Sequence, residues 1–309
     1  MTIDRKTFIV VNPNSANGST RREWAHMEEA IRAAIGPFEW NFTSGPKDAT
    51  RLTREAVYAG YDQIVAVGGD GTNNEVVNGF FDGQTPLNPN CAFAFICRGT
   101  GGDFRKTFGW TTRLEEAIER IKNERTRAID LGRFTYIGHD GRRALSHFIN
   151  ITSFGIGGLV DRYVNASSKA LGGKLSFMIA TVRAVAAYSP RPVRLTIDDG
   201  EPQELRIVNV AVANGRFFGG GMMIAPQAEP DDGLFDIVVL GDLTKWEIIS
   251  GSGDVYKGAH LSQPKISHMR GRKVTAESDQ EVLIDMDGEA PGRLPCEFEI
   301  LPRVLPLKA

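Results

Sequence analysis

A glycine-rich acidic segment directly follows an apolar run early in the chain. Ile64–Val67 reads as a buried strand, Gly68–Thr72 spells Gly-Gly-Asp-Gly-Thr, and Asn73–Asn78 begins a pattern typical of a helix. Glycines tolerate positive φ and let the backbone approach a ligand closely, so main-chain N–H groups can converge on phosphate oxygens. The positive amino end of the helix adds to that attraction. The segment predicts a phosphate-binding loop, although a simple tight turn would use the same residues.

Asp70 places a carboxylate in this loop and restricts what the loop can bind. A carboxylate repels a bare phosphate, and it belongs beside a divalent cation or a proton that must move. The loop therefore predicts a nucleotide that is handled together with Mg²⁺.

Two further polar loops follow strand-like runs. Asn12–Gly18 comes after the β-branched run Thr7–Val11, and Arg98–Asp103 comes after the apolar run Cys91–Ile96. Both loops are rich in Gly, Asn, Ser or Thr, whose backbone and hydroxyl groups suit a polar ligand. Because ligands of parallel sheets bind beyond the carboxyl ends of the strands, one crevice could collect all three loops.

The spacing of apolar residues divides the chain into two parts. Helical spacing alternates with extended runs at Thr20–Ile35, Phe38–Thr43 and Asp48–Ala59, and a further helix is expected at Arg113–Lys122. This alternation predicts a parallel sheet covered by helices. From Ala128–Phe134 onward the pattern changes to β-like runs, which predict a mostly antiparallel second domain. Those runs are Ala144–Ile151, Val193–Ile197, Leu205–Val212, Leu234–Leu240, Glu281–Ile284 and Cys296–Leu301.

Several carboxylates in the second part fall in strand-like or turn-like positions. Asp130 ends a predicted strand, Asp232 precedes another, and Asp287 and Glu289 alternate along an extended run. Residues two apart in an extended segment share a face, so Asp287 and Glu289 could point together into a cleft. There one carboxylate could take a proton from an attacking hydroxyl. Each of these residues taken singly is better explained as a surface or turn carboxylate, and only the set together with the phosphate loop indicates function.

Leu171–Tyr188 carries apolar residues at helical spacing. We interpret it as a helix that faces the core. The alternative is an apolar wall that admits a lipid tail or touches a bilayer, with Lys169, Arg191 and Arg194 near anionic headgroups.

Composition excludes several classes of protein. The 309 residues are 41% hydrophobic and 24% charged, which is typical of a globular chain long enough for two cores. A formal net charge of -2 without a basic block argues against nucleic acid as a partner. Three cysteines and five histidines lack the spacing of a disulfide framework or a zinc site. The start of the chain lacks a signal-peptide core, and no apolar run is long enough to span a bilayer, so we expect a cytoplasmic protein.

Seven short motifs follow one another along nearly the whole chain, and as a set they are specific. They are Asn12–Gly18, Thr43 ahead of Asp48–Ala49, Gly68–Thr72, Gly99–Phe104, Asp130–Gly132, Asp232–Leu234 and Asp287–Glu289. The set resembles the superfamily of diacylglycerol, sphingosine and ceramide kinases, in particular its compact bacterial lipid kinases.

The resemblance implies an α/β amino-terminal domain and a carboxy-terminal β-sandwich. The first domain, residues 1–130, would be a three-layer ATP-binding domain with a mostly parallel sheet, similar to phosphofructokinases and NAD kinases. Residues 131–299 would form the sandwich, and the lipid would be received between the two domains. The last strand, at about residues 300–309, would return to complete the first domain.

The resemblance also implies roles for individual residues. Asp70, Asp287 and Glu289 would be catalytic, and the motif leaves open whether Asp287 or Glu289 is the general base. Asp103 and Asp130 would organise the catalytic Mg²⁺. A second, structural Mg²⁺ would bind Asp232 and the main-chain carbonyls of Glu229 and Leu234. The residues expected to contact the nucleotide are Asn12, Ser15, Thr43, Gly68, Gly69, Asp70, Gly71, Thr72, Asn73, Asn74 and Thr100.

The sequence departs from the family pattern at three places. Gly102 stands where many relatives have Asn, and Cys97 with Arg98 replaces a more usual Pro-Leu pair, which bears on nucleotide affinity. Leu159 lies about where long-chain-base kinases carry an acid that meets the sphingoid head group, which disfavours sphingosine as substrate.

The expected function is ATP- and Mg²⁺-dependent phosphorylation of a primary hydroxyl of a membrane lipid. Diacylglycerol is the first expected acceptor and ceramide the second, and a soluble acceptor as in NAD kinases or a non-catalytic nucleotide sensor are the alternatives. The expected partners are the lipid and the inner face of a membrane, which the protein would contact peripherally, and a homodimer is left open.

Overall fold

The computed structural model describes the backbone of residues 5–99, 101–166 and 173–309, and the side chains of 5–99, 101–164 and 178–309. The chain divides into two units. The first unit is the chain up to Leu131 together with Pro302–Ala309, and the second unit is Gly132–Leu301.

The elements alternate between strands and helices through the first unit. They are β1 (Thr7–Val11), α1 (Ser19–Ile35), β2 (Glu39–Phe42), α2 (Asp48–Tyr58), β3 (Gln63–Gly68), α3 (Asp70–Gly79), β4 (Phe81–Asp82), β5 (Thr85–Pro86), β6 (Ala92–Cys97), α4 (Asp103–Thr107) and α5 (Leu114–Lys122). Strand β7 (Thr126–Gly138) then leads into the second unit.

A parallel sheet with strand order β2-β1-β3-β6 forms the centre of the first unit. Leu307, near the end of the chain, pairs in parallel with Phe93 of β6. Strands β1 and β3 are buried along their whole length, as expected where helices cover both faces of a sheet. Helix α1 buries Trp24, Met27 and Ile31, which recur at helical spacing, against Val65 and its neighbours.

The second unit contains the remaining elements. They are β8 (Arg143–Phe148), β9 (Ile151–Gly155), α6 (Ile156–Ala166), α7 (Gly173–Ala187), β10 (Arg191–Ile197), β11 (Gln203–Ile207), β12 (Asn209–Ala213), β13 (Phe235–Leu240), α8 (Lys245–Lys257), β14 (Ile266–Gly271), β15 (Lys273–Glu277), β16 (Ile284–Met286) and β17 (Gly292–Lys308), whose last residues belong to the first unit.

Two antiparallel layers form a β-sandwich in the second unit. One layer has strand order β14-β13-β12-β9-β16, and the other contains β11, β10, β15 and β17, with β7 paired to β17 and β8. Alternate residues of both layers meet in a core that includes Phe134, Phe148, Phe154 and Phe298. The rings of Phe134 and Phe298 stack with their centroids 5.3 Å apart.

The expected α/β domain and β-sandwich are therefore confirmed, but several predicted strands are wrong in extent. The run Ala144–Ile151 extends from β8 to the first residue of β9, and Glu281–Ile284 meets β16 only at Ile284. The run Leu205–Val212 contains two strands, because the chain leaves one layer after Ile207 and joins the other at Asn209. Between them, the amide of Val208 donates to the carbonyl oxygen of Leu240 at 2.8 Å. Apolar composition alone does not reveal a change of layer when both sides of the break are buried.

Helix α7 differs from the core-facing helix that we favoured. Ala180, Ala184 and Val185 are buried, but Met178 and Val182 are exposed, Val182 to 64%. The core-facing interpretation is therefore wrong for one face of α7. Leu171, where the helix was predicted to begin, and Lys169 lie outside the described residues. Within the described part of the chain, no helix is both long and apolar enough to cross a bilayer.

Candidate active site

Helix α3 begins at Asp70 itself, so the glycine-rich loop is shorter than predicted. Gly69 is the only residue between β3 and α3, and the helix starts three residues before the expected Asn73. The amide of Asn73 donates to the carbonyl oxygen of Gly69 at 3.1 Å, which closes the first turn. The amides of Asp70, Gly71 and Thr72 precede that bond and lie at the positive end of the helix, where anions bind.

The glycines of this turn provide space rather than unusual backbone angles. None of Gly68, Gly69 and Gly71 has positive φ, contrary to the expectation from sequence. A β-carbon on Gly68 would lie 2.4 Å from Oγ1 of Thr72, and one on Gly99 would lie 2.6 Å from Cα of Gly69. Around Gly71, by contrast, no atom of the described residues lies within 4 Å of such a β-carbon, apart from its chain neighbours and its own helix backbone.

The loop after β1 is bonded to the same helix end. Asn12 donates from Nδ2 to Oγ1 of Thr72 at 3.0 Å, and its own amide donates to the carbonyl oxygen of Val67 at 2.9 Å. Oγ of Ser15 donates to the carbonyl oxygen of Asn12 at 2.9 Å. Thr43 follows β2, and its amide donates to the carbonyl oxygen of Val11 at 2.8 Å. The structure thus gathers Asn12, Ser15 and Thr43 at the carboxyl ends of the strands.

Of the remaining residues expected to contact nucleotide, Asn73 and Asn74 are buried in the first turns of α3. Thr100 lies outside the described residues.

Asp70 and Asp103 form a pair of neighbouring carboxylates. The amide of Asp103, the first residue of α4, donates to Oδ2 of Asp70 at 2.9 Å. A β-carbon on Gly101 would lie 3.4 Å from Oδ2 of Asp103 and 3.5 Å from Oδ2 of Asp70, so both oxygens face one small space. Oδ1 of Asp103 is paired with Nζ of Lys106 at 2.6 Å. Burial raises the pKa of Asp70, and the charge of Asp103 adds to that rise.

The space beside Gly101 fits a divalent cation bound together with phosphate. Two carboxylate oxygens converge there, and burial raises the pKa of Asp70, so a bound cation would stabilise its charged form. Mg²⁺ in phosphate-transferring enzymes is commonly held by one or two carboxylates plus the phosphates of the substrate. Among the described residues, no group of three or more His, Cys, Asp or Glu side chains has the arrangement of a metal site.

Asp130 lies within β7 rather than at the end of a strand, and it is fully buried. Its Oδ1 accepts a hydrogen bond of 2.6 Å from the amide of Arg303, which has positive φ. Asp130 therefore fixes the returning end of the chain within the first unit. Its role at catalytic Mg²⁺ stays a prediction.

Asp287 lies at the corner of a tight turn in the second unit, not in an extended segment. Met286 and Glu289 exchange two backbone hydrogen bonds of 2.8 and 3.0 Å, and both Asp287 and Gly288 have positive φ. This is the two-residue hairpin geometry that Asp-Gly favours. The expectation that Asp287 and Glu289 alternate along a strand is therefore wrong. Both carboxylate oxygens of Asp287 are shielded from solvent, whereas Glu289 is exposed.

The expected structural Mg²⁺ does not fit the residues of the second unit. Oδ1 of Asp232 accepts from the amide of Leu234 at 3.0 Å, and Oδ2 contacts the guanidinium of Arg270. Nε of Arg270 also lies 3.5 Å from Oδ2 of the buried Asp236. The guanidinium thus already supplies the positive charge that a cation would bring beside Asp232. Glu229 and Leu234 would contribute only carbonyl oxygens to the expected site.

Comparison with known proteins agrees with this architecture. Residues 6–134 match the diacylglycerol kinase catalytic domain, and residues 150–309 match the YegS C-terminal NAD kinase beta sandwich-like domain. The chain belongs to the bacterial diacylglycerol kinase and YegS-like lipid kinase family. It is therefore a lipid kinase, and the family uses ATP.

Individual relatives match the lipid kinase over nearly its full length. A diacylglycerol kinase of Bacillus subtilis is 27% identical over 95% of this chain and 93% of its own. A probable lipid kinase, YegS-like, of Stenotrophomonas maltophilia is 30% identical over 94% of this chain and 91% of its own. A crystal structure of a diacylglycerol kinase from Bacillus anthracis covers 98% of this chain and 96% of its own, with a TM-score of 0.71 and 23% identity, and supports the fold alone.

Gly102 and Cys97, two of the positions at which this lipid kinase was expected to depart from the family pattern, lie against each other. Gly102 has a φ of 56°, and a β-carbon there would lie 2.5 Å from Sγ of Cys97. Asn tolerates such a φ, but it would not fit beside this thiol without displacement. A residue larger than glycine at position 102 would therefore displace Cys97 in the turn that leads to Asp103.

Sequence reasoning missed two groups near the predicted catalytic residues. Lys106 neutralises Asp103 one helical turn away, an i,i+3 spacing that the sequence does show. Asp161, on α6, lies beside Asp285 although 124 positions separate them, and no local pattern could have indicated that pair.

Proposed function

We propose that this lipid kinase transfers the γ-phosphoryl group of ATP to the primary hydroxyl of diacylglycerol, with Mg²⁺ as the cofactor, and so produces phosphatidic acid. The amino end of α3 supports this most directly, because it begins with the half-buried Asp70, whose carboxylate shares a small space with that of Asp103. Backbone donors, a helix dipole and paired carboxylates suit a triphosphate with its cation. Names of relatives support diacylglycerol as acceptor.

The residues of the chain would contribute mainly positioning and charge. The amides of Asp70, Gly71 and Thr72 would bind phosphate oxygens. Asp70 and Asp103 would hold Mg²⁺, which when bound supplies positive charge to the transferring phosphoryl group. Asp287 would accept the proton of the acceptor hydroxyl, since its carboxylate is held at the corner of an ordered turn and shielded from solvent, whereas Glu289 is exposed.

Exposed apolar side chains on α7 and α8 support a substrate that resides in a membrane. Trp246, Ile249 and Tyr256 recur at helical spacing on α8 and are 76%, 57% and 52% exposed, and Met178 and Val182 are exposed on α7. Exposed apolar residues grouped in this way mark interaction sites. We therefore infer peripheral contact with the inner face of the membrane.

A single assay tests the proposed reaction. The protein is incubated with ATP labelled at the γ-phosphate, Mg²⁺, and either diacylglycerol or ceramide in mixed micelles, or NAD in solution. We expect label in phosphatidic acid, with less in ceramide phosphate. Label that appears only in NAD phosphate would reject the lipid substrate.

Binding to vesicles tests the membrane contact separately. Trp246→Gln should reduce sedimentation with anionic vesicles, because a bilayer-inserted indole is lost. Tyr58→Gln is the matched control, since Tyr58 is 65% exposed on α2 of the first unit. Equal binding of both variants and the original protein would refute a role for α8.

A further inference from the structure

Asp285 is a buried carboxylate that holds the turn of Asp287. It lies on β16, two residues before the turn, and only 9% of it is exposed. Its Oδ1 accepts from the amide of Gly288 at 3.0 Å, and its Oδ2 accepts from Oγ of Ser153 at 3.2 Å. The first of these bonds spans Asp287 and closes the corner that contains it. Asp285 therefore supports the turn from one side, in addition to the two backbone hydrogen bonds between Met286 and Glu289.

Asp161 supplies a third hydrogen bond to Asp285. It lies on α6, is 6% exposed, and its side chain is hydrogen-bonded to that of Asp285. Two buried carboxylates in hydrogen-bonding contact cannot both carry a charge, so one proton is shared. Burial raises the pKa of Asp161, and the charges of Asp285 and Glu289 raise it further. Asp161 is therefore the protonated partner, and it donates to Asp285.

Close packing of α6 on β16 enforces this contact. A β-carbon on Gly158 would lie 2.6 Å from Cβ of Leu283, and one on Gly157 would lie 2.8 Å from Oγ of Ser153. Only glycine lets the first turn of α6 approach so closely. The amide of Gly157 also donates to Oδ1 of Asn209 at 3.2 Å, which fixes the start of the helix.

We propose that Asp161 is a positioning residue for phosphoryl transfer and holds the Asp287 turn in place through its hydrogen bond to Asp285. The inference rests on the proposed function only in treating Asp287 as the base. With Asp161 protonated, Asp285 keeps both oxygens as acceptors for Ser153 and Gly288. Without that donor, the buried Asp285 lacks one of its three partners and is free to rotate away from the turn.

The test compares two replacements of Asp161 that differ only in the ability to donate. Asp161→Asn keeps the size and an N–H donor, whereas Asp161→Leu keeps the approximate size and donates nothing. We expect Asp161→Leu to lower kcat about 10- to 100-fold, as for a slightly misplaced catalytic group, with the KM for ATP unchanged. Asp161→Asn should retain activity within about threefold. Arg162→Leu is the matched control, an exposed position on the same helix that should change neither constant.

Hydrogen exchange of the Gly288 amide gives a second readout that does not depend on activity. It should accelerate in Asp161→Leu and remain slow in Asp161→Asn and Arg162→Leu. A wild-type protein that phosphorylates no lipid would reject the proposed function, whereas the exchange rates would still decide whether Asp161 holds the turn.

Three results would overturn the inference. They are full activity and slow exchange in Asp161→Leu, loss of activity in Asp161→Asn equal to that in Asp161→Leu, and a fall confined to the affinity for ATP. If Asp161→Leu does not fold, Ser153→Ala serves as the second variant, because it removes another donor to the same carboxylate. Fast exchange at Gly288 in Ser153→Ala, with slow exchange in Asp161→Asn, would support the inference, and slow exchange in both would reject it.

Discussion

Replacing Gly71 by Ala should raise the thermal stability of this protein and lower its kcat/KM for ATP. Gly71 is the second residue of α3, and its φ is not positive. Within the part of the chain that the structure describes, only its chain neighbours and its own helix backbone lie within 4 Å of an added β-carbon. The fold therefore accommodates the methyl group. Ala in a helix is more stable than Gly by about 0.5–1 kcal/mol, because the unfolded chain loses less entropy on folding. A gain of that size corresponds to a rise in Tm of roughly 1–4 °C for a domain of this size.

The same methyl group would stand in front of the amides that we assign to phosphate. Displacing a phosphate oxygen from one amide removes a hydrogen bond to a charged group, which is worth about 1.5–3 kcal/mol. Since 1.36 kcal/mol corresponds to a factor of ten, kcat/KM for ATP should fall by about 10- to 100-fold.

Steady-state kinetics over a range of ATP concentrations and a thermal melt measure both effects. Gly253→Ala is the control, because Gly253 lies within α8 and its added β-carbon would likewise meet nothing within 4 Å. It should raise Tm similarly without changing the kinetics with ATP. Unchanged kcat and KM in Gly71→Ala, with the Tm raised, would refute the assignment of phosphate to the amino end of α3.

Three further predictions follow from the electrostatics of buried groups. Asp70→Asn and Asp287→Asn should each lower kcat at least about 1000-fold. Each should change Tm by less than about 3 °C, because Asn preserves the shape of Asp. Near-normal turnover in either variant would reject the role of that residue. Burial lowers the pKa of His147 from 6.5 to about 4, so the native state excludes a proton that the unfolded chain binds. The contribution of His147 to the free energy of unfolding is thus fully present above pH 6.5, and about 3 kcal/mol of stability is lost as pH falls towards 4. Urea melts of His147→Leu should not show this loss. Finally, the original protein should have the same Tm in chelator and in Mg²⁺. Arg270→Met, which leaves Asp232 without its cation, should lower the free energy of unfolding by about 1–2 kcal/mol. A Tm of the original protein that rises with Mg²⁺ would instead support the structural metal site.

Local sequence patterns predicted most of the first unit. The run Thr7–Val11 matches β1 residue for residue, and Asp48–Ala59 differs from α2 by one residue. Such elements are specified by nearby residues, since β-branched runs suit buried strands and amphipathic spacing suits helices. Helix α8 was missed, because Gly251 and Gly253 weaken its pattern, although Thr244 and Glu247 form a capping box that the sequence contains.

The sequence also indicated candidate catalytic residues, because seven short motifs that resemble those of a known family can be read without coordinates. The backbone geometry predicted around these residues was wrong. The glycines beside Asp70 create space instead of adopting positive φ, and Asp287 occupies a hairpin corner whose Asp-Gly pair was an available signal. Both errors concern backbone geometry that depends on one or two residues.

Only the tertiary structure decided the contacts between distant parts of the chain. Asp130 accepts from the amide of Arg303, Asp232 is paired with Arg270, and Asp161 is hydrogen-bonded to Asp285. The residue types at these positions are compatible with many partners, and the partner is chosen by which strands pair and which layers pack. Sequence thus determines the local elements and the reactive groups, whereas the packing of those elements determines the charge, burial and orientation of each group.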